Sequence, residues 1–287
     1  MARPMNITLG YDASDCANVA VADLTADGVP QGSTVHVISV SEWFPLPFAE
    51  GGVDVMPEKA YPDASDAEET ARIGAERVRE LRPDLEIITN GTSGSPAHQI
   101  VSYAEEVHSD LVIVGSHGRS AIGRFFIGSV SHQVLTGAHC SVRVARSRPD
   151  RGDGRTLILA AIDGSEYTPK VVEAITAREW SEGATVLVVT SAEYSYDPEE
   201  ERASLESVRE LHASVTGELR AAGLECESII DTDKVHPTKA ILTLAKDRMV
   251  DMIVLGARGL TGFERFMLGS VSSAVALHAE CSVEVAR

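Results

Sequence analysis

Short aliphatic bursts punctuate the chain. Residues 156–162 read TLILAAI and residues 184–189 read ATVLVV, runs without polar alternation that predict strands buried on both faces of a parallel sheet. Between the bursts the apolar positions change period. In 203–223, ASLESVRELHASVTGELRAAG, the residues Leu205, Val208, Leu211 and Val215 recur at helical spacing before a glycine stop. In the second half, strands are expected near 156–162, 184–190, 225–231, 252–255 and 282–286, with helical stretches between them. Strands alternating with helices through right-handed crossovers give a doubly wound α/β sheet. Such sheets take ligands outside the carboxyl ends of their strands, where the winding reverses.

The pattern is written twice. LVIVGSHGRSAIGRFFIGSV (111–130) returns as MIVLGARGLTGFERFMLGSV (252–271), and Gly115, Gly128, Asp110, Ala104 and Pro96 each find their match 141 residues on. Earlier positions, Asp12, Ser14 and Thr34, match Asp163, Ser165 and Thr185 at an offset of 151. The first copy therefore carries ten extra residues between about 41 and 96, where WFPLPFAEGGVDVMPEKAYPDASD has the chemistry of a loop. SRPDRGDG (147–154) reads as a polar linker, which divides the chain into domains 1–147 and 154–287.

Composition narrows the function. The 287 residues are 44% hydrophobic and 24% charged, ordinary for a globular protein, and the net charge is −18 with a pI near 4.9. That balance argues against a nucleic-acid backbone as partner. No apolar stretch is long enough for a bilayer, and MARPMNITLG contains no signal-like apolar region, so a cytoplasmic location is expected and the sequons at Asn6 and Asn90 carry no meaning. Cys16, Cys140, Cys226 and Cys281 form no CxxC pair; Cys140 and Cys281, in AHCSVRVAR and AECSVEVAR, read as buried small hydrophobes rather than disulfide partners.

The loop after the fourth strand of each copy carries the candidate chemistry. Both read G-x2-G-x9-G-S, through Gly115, Gly118, Gly128 and Ser129 and again through Gly256, Gly259, Gly269 and Ser270. Glycines permit positive φ and close approach to the backbone, and a helix start offers unpaired N–H groups to an anion. Ser129 and Ser270 stand where a hydroxyl can donate to a phosphate. The alternative is that the glycines make tight turns and the serines are N-caps; recurrence after the same strand in both halves favours the anion reading.

These loops, together with DGSE at 163–166 (DASD at 12–15) and the terminal CSVRVAR and CSVEVAR, resemble universal stress protein domains over nearly the whole chain. The resemblance implies two tandem doubly wound domains, each a five-stranded parallel sheet in the order 3-2-1-4-5. In the ATP-binding branch of that family, it implies adenosine beside Asp12 and Asp163, and backbone contacts to adenine from Val40 and Ser191. It further implies ribose and phosphates on Gly115, Gly118, Gly128, Ser129, Val130 and Ser131, and on Gly256, Gly259, Gly269, Ser270, Val271 and Ser272. Mg²⁺ would be held through the phosphates. The implied role is a nucleotide-responsive regulator with an unidentified protein partner, the two halves packing as a pseudo-twofold dimer through the SVEVAR edge and two chains associating further. Ala13 in place of the usual glycine, kept as Gly164, and Ser191 in place of an aliphatic residue depart from the pattern and predict unequal sites.

Single residues divide between chemistry and scaffold. Asp12, Asp163, Ser14 and Ser165 are all residue types that cap helices, but the aspartates stand at the switch point of the sheet. Arg124 and Arg265 match across the copies as phosphate candidates, His117 stands where Arg258 does, and His132 is matched by Ser273, which speaks against a shared catalytic role. No Gly-Lys pair, GxSxG elbow, HExxH, SGGxDS or HxGH occurs. An enzyme is therefore the lesser expectation. The alternatives to an ATP-binding regulator are a slow Mg-dependent ATPase and a nucleotide-free interaction module.

Overall fold

A computed structural model describes residues 2–42, 64–118, 127–152, 154–191, 197–232, 235–259 and 268–287. The first half runs β1 (Asn6–Gly10), α1 (Asp15–Ala26), β2 (Thr34–Glu42), α2 (Ala64–Leu81), β3 (Glu86–Gly94), α3 (Pro96–Glu106), β4 (Leu111–Gly115), α4 (Ser129–Gly137) and β5 (Ser141–Ala145). The second repeats it as β6 (Leu157–Ala161), α5 (Thr168–Thr176), β7 (Thr185–Ser191), α6 (Pro198–Ala221), β8 (Glu225–Asp231), α7 (Pro237–Asp247), β9 (Met252–Gly256), α8 (Ser270–His278) and β10 (Ser282–Ala286).

Each half has the parallel order 3-2-1-4-5, and the two join into one ten-stranded sheet, β3-β2-β1-β4-β5-β10-β9-β6-β7-β8. The joint is antiparallel, with Val144 opposite Val283, Arg143 opposite Glu284 and Val142 opposite Val285. The four valines enter a core that runs through both halves. Alternation along a strand sends Arg143 and Glu284 to the other face, where both are fully buried.

Local chemistry explains the element boundaries. The side chain of Ser14 caps α1 by accepting from the Ala17 N–H at 3.1 Å. Helix α6 begins before the apolar stripe does, because Asp197 caps it, Pro198 occupies its first position, and Glu199, Glu200 and Glu201 fill its first turn. The difference in length between the copies is also distributed. Thr34 and its partner Glu86 are 52 residues apart, whereas Thr185 and Glu225 are 40 apart. The second copy recovers part of that difference between β8 and α7. Residues 43–63, most of the extra segment, lie outside the described residues.

Asp110 and Asp251, matched in sequence, hold the starts of β1 and β6. Each accepts from a strand-entry N–H, of Asn6 at 2.9 Å and of Leu157 at 2.7 Å. Arg151 of the linker adds an ion pair to Asp251 at 2.6 Å, which ties the connection to the second half.

All four cysteines are free thiols. Burial drives the Cys140 and Cys281 thiols up to about 11 and about 12, so both stay protonated and inert at neutral pH.

The turn after β1 and β6 shows what the departure at Ala13 means. Ala13 is held at φ 62°, where its counterpart Gly164 has φ 77°. A left-handed alanine costs roughly 1–2 kcal/mol, partly offset by the extra freedom glycine has when unfolded. Ala13→Gly is therefore expected to stabilise the protein by about 0.5–1 kcal/mol, and Gly164→Ala to destabilise it by a similar amount, as read by urea denaturation. Equal midpoints for all three proteins would refute this.

Candidate functional site

The carboxyl ends of β6, β7 and β9 open into a cleft of about 1030 Å³, at the upper end of the range typical of ligand pockets. All eight positions read from the second copy, Asp163, Ser191, Gly256, Gly259, Gly269, Ser270, Val271 and Ser272, line it. They come from three strand ends and one helix start, so the doubly wound topology alone brings them together.

Asp163 fixes the turn after β6 by accepting from the Ser165 N–H at 3.0 Å, and Asp12 does the same with Ser14 at 3.0 Å. Neither aspartate caps a helix. A Cβ on Gly259 would lie 2.6 Å from Asp163 Oδ2, and one on Gly118 would lie 3.1 Å from Asp12 Oδ2. In both copies, then, the second glycine of the loop lies against the aspartate after the first strand.

The glycines act by close approach rather than by backbone angle. None of the six motif glycines, all among the described residues, has positive φ. Gly115 and Gly256 let the starts of the neighbouring helices pack on the strand ends: a Cβ would meet the Cys16 carbonyl oxygen at 2.6 Å and Tyr167 Cβ at 2.5 Å. Gly128 and Gly269 close the long loop, donating to the Ser116 carbonyl at 2.7 Å and the Ala257 carbonyl at 2.8 Å.

Those same glycines are the N-caps of α4 and α8, with φ −65° and −62°, and neither helix has a side-chain cap. Ser129 and Ser270 are first helical residues and not caps. The opening N–H groups of a helix have no acceptor within it, and a glycine cap supplies none from a side chain. Ser131 and Ser272 are committed differently: their hydroxyls donate to the Gly115 and Gly256 carbonyls at 2.6 and 2.7 Å, locking each helix to its strand. In this structure both hydroxyls therefore donate to the scaffold. Val130 sits beside this lock in the first copy and packs, like Val271 in the second, on the shared core.

The second-strand positions differ as the sequence suggests. Val40 is half-buried against the shared core, whereas Ser191 bonds through its hydroxyl to Asp231 at 3.3 Å. His132 is exposed on α4. Arg124 and Arg265 lie outside the described residues.

Sequence reasoning missed the wall that α6 contributes. Ser204, Ser207, Val208 and Leu211 face the cleft, and their spacing is a helical stripe offset from the one formed by Leu205, Val208, Leu211 and Val215. Two serines in that stripe, on a helix otherwise packed on the sheet, were the available signal. Behind the wall, Thr190 donates to the Ile162 carbonyl at 2.7 Å, so it accepts from His212 Nε2 at 2.8 Å; Nδ1 in turn accepts from Ser228 at 2.7 Å. Burial holds the His212 pKa below its ordinary 6.5. Because the unfolded chain takes up this proton first, the contribution is complete above about pH 6.5 and falls as pH drops below it. Melting temperature should be flat above pH 7 and decline toward pH 5.5, with a shallower decline in His212→Asn; parallel declines in both proteins would exclude His212 as the cause.

The fold and the cleft define a class: two doubly wound units in one chain, each with a glycine-bounded loop leading from its fourth strand into an uncapped helix. The model of the universal stress protein family matches residues 4–146 and again 155–287. The chain belongs to that family and carries two of its domains in tandem. It is similar to a universal stress protein of Mycobacterium tuberculosis, 26% identical over 300 residues that cover 98% of this chain and 94% of the relative. A Synechocystis universal stress protein is 31% identical over 146 residues, covering 44% of this chain and 94% of its own length. Among solved structures, a universal stress protein from Archaeoglobus fulgidus superposes with a TM-score of 0.63 at 19% identity, over 99% of this chain and 96% of that one. That last likeness speaks to the fold alone.

Proposed function

We propose that this protein binds ATP in its clefts and acts in the cytoplasm as a nucleotide-responsive stress regulator rather than as a metabolic catalyst. The observation that carries the reading is the convergence of Asp163, Ser191, the loop glycines and the uncapped start of α8 on one cleft. The N–H groups of Ser270, Val271 and Ser272 would hold phosphate oxygens, as helix N-termini do, and the glycine loop would admit them close to the backbone. Asp163 would face the ribose, and the end of β7 the base. A Mg²⁺ ion would be carried on the phosphates. Among the described residues no helix is long and apolar enough to cross a membrane. A regulatory output requires a protein partner that distinguishes the loaded from the empty state.

The test is to purify the full chain, release bound small molecules with acid and quantify them by mass spectrometry, then titrate the emptied protein with Mg-ATP calorimetrically. Stoichiometric ATP, or saturable heat at no more than two sites, is the expected result. An empty protein that gives no heat would move the function to its surfaces.

A further inference from the structure

The joint between the halves is nearly self-complementary, and its departures from symmetry lie at its centre. Val142, Arg143 and Val144 of β5 match Val283, Glu284 and Val285 of β10 at the 141-residue offset. In the pairing Val142 faces Val285, Arg143 faces Glu284 and Val144 faces Val283. Each residue of the central pair therefore faces its own counterpart. Two first halves joined in the same way would set Arg143 against Arg143, and two second halves would set Glu284 against Glu284.

Each half brings one counter-charge of its own to this buried centre: Arg143 donates to Asp23 at 3.0 Å, and Arg178 donates to Glu284. What crosses the joint is the bond from Arg143 Nε to Glu284 Oε2, at 3.0 Å. A pair of like halves loses that bond and holds two charges of one sign together out of water. Arg143 Nη2 has no acceptor among the described residues even in the native pairing. A guanidinium cut off from Glu284 would therefore leave a second buried donor unmatched.

A steric asymmetry lies beside the charged one. The Gly28 N–H donates to the Glu179 carbonyl at 3.0 Å, and these two residues are themselves matched at the 151-residue offset. A Cβ on Gly28 would lie 2.6 Å from the Trp180 ring. Two second halves would put the Cβ of Glu179 in that place, against the ring. Next to it, Asp27 accepts from the Ser181 N–H at 2.9 Å and from the Thr156 hydroxyl. Its counterpart in the second half is Arg178, which can accept nothing.

We propose that the joint is a selective interaction surface whose partner is the unlike half of this chain. Arg143 with Glu284, and Gly28 with Trp180, admit one first half and one second half and reject a second copy of either. Specificity of this kind rests on what a wrong pairing costs as much as on what the right one gains. The two duplicated edges are thereby used up within one chain, or exchanged reciprocally between two.

The test places a protease site at Gly152, where a Cβ would meet nothing within 4 Å, and cuts the linker of the folded full chain. The nicked protein is unfolded in urea and refolded by dilution, and native mass spectrometry counts the pairs, which differ in mass. Indiscriminate assortment would make about half of them like pairs, whereas unlike pairs should outnumber like pairs by about tenfold or more. Like pairs near the indiscriminate share overturn the proposal. In the intact chain, Glu284→Arg should lower the urea midpoint further than Glu284→Leu, and Arg143→Glu further than Arg143→Met. A like-charge variant that fails to fold while its neutral counterpart folds is the same result. Equal midpoints in either comparison overturn the proposal too, and these comparisons decide it alone if the nicked halves re-form no pairs.

Discussion

Replacing Arg143 with methionine is expected to destabilise the protein by about 3–5 kcal/mol, the range found when one member of a buried ion pair is removed. Arg143 donates to Glu284 at 3.0 Å and to Asp23 at 3.0 Å, and Arg178 completes the group on the other oxygen of Glu284. Arg143 and Glu284 are 0% exposed, and Asp23 is 3% exposed and also accepts from Ser282 at 2.7 Å. Burial drives the Glu284 carboxyl above the usual carboxylate range, with Arg143 opposing it. Without Arg143 that carboxyl should take up a proton in the folded state, so the deficit should narrow as pH falls from 7 toward 5. Urea denaturation at the two pH values measures both effects. Arg143→Met combined with Glu284→Leu should recover most of the loss, because an apolar pair in place of a buried ion pair is often neutral. A single-variant loss under about 1 kcal/mol, below the usual range for a broken buried pair, would mean that water reaches the joint.

Two glycines of one motif should give opposite phenotypes. Gly256→Ala places a Cβ 2.5 Å from Tyr167 Cβ, an atom fixed by the start of α5. Overpacking of that kind typically costs 1–3 kcal/mol, so a clear fall in melting temperature is expected. Gly259→Ala meets only the tip of the Asp163 side chain, at 2.6 Å, in the exposed mouth of the cleft. Stability should stay within about 1 kcal/mol of the parent, since a flexible side chain can yield. ATP affinity at that cleft should fall more than tenfold, because the added methyl displaces Asp163 and fills the close approach to the backbone. Calorimetric titration separates the cases. If Gly259→Ala bound ATP as the parent does, the loop would be scaffold alone.

Most of the architecture was legible before any coordinates. The aliphatic bursts place β6, β7, β9 and β10 within a residue or two, because strands buried on both faces admit little else, and the exposed edge strand β8 falls where 225–231 was expected. The recurrence of G-x2-G-x9-G-S located the loops, and the rule that ligands gather at the carboxyl ends of parallel strands located the cleft. Residue identity also marked His117 against Arg258 as a matched position that had diverged.

Other features depend on through-space packing. Whether a loop glycine serves backbone angle, close packing or the mouth of the cleft depends on which atom faces its missing Cβ, and for Gly256 and Gly259 that atom belongs to the segment after β6, about a hundred residues earlier. The roles of the serines turn on one residue of helix phase, which makes Gly128 and Gly269 the caps and sends Ser131 and Ser272 to strand carbonyls. The wall from α6 depends on how that helix rolls on the sheet. The sequence alone therefore determined the repeat and the strands, which follow from periodicity, and the loop glycines of the cleft, which follow from local chemistry, while the remaining cleft positions were read through the family resemblance. Only the tertiary structure decided the antiparallel register of the β5 and β10 joint, with Arg143 opposite Glu284, and the burial of that pair, because the alignment of a terminal strand and the dielectric around a charge are set by the other half of the molecule.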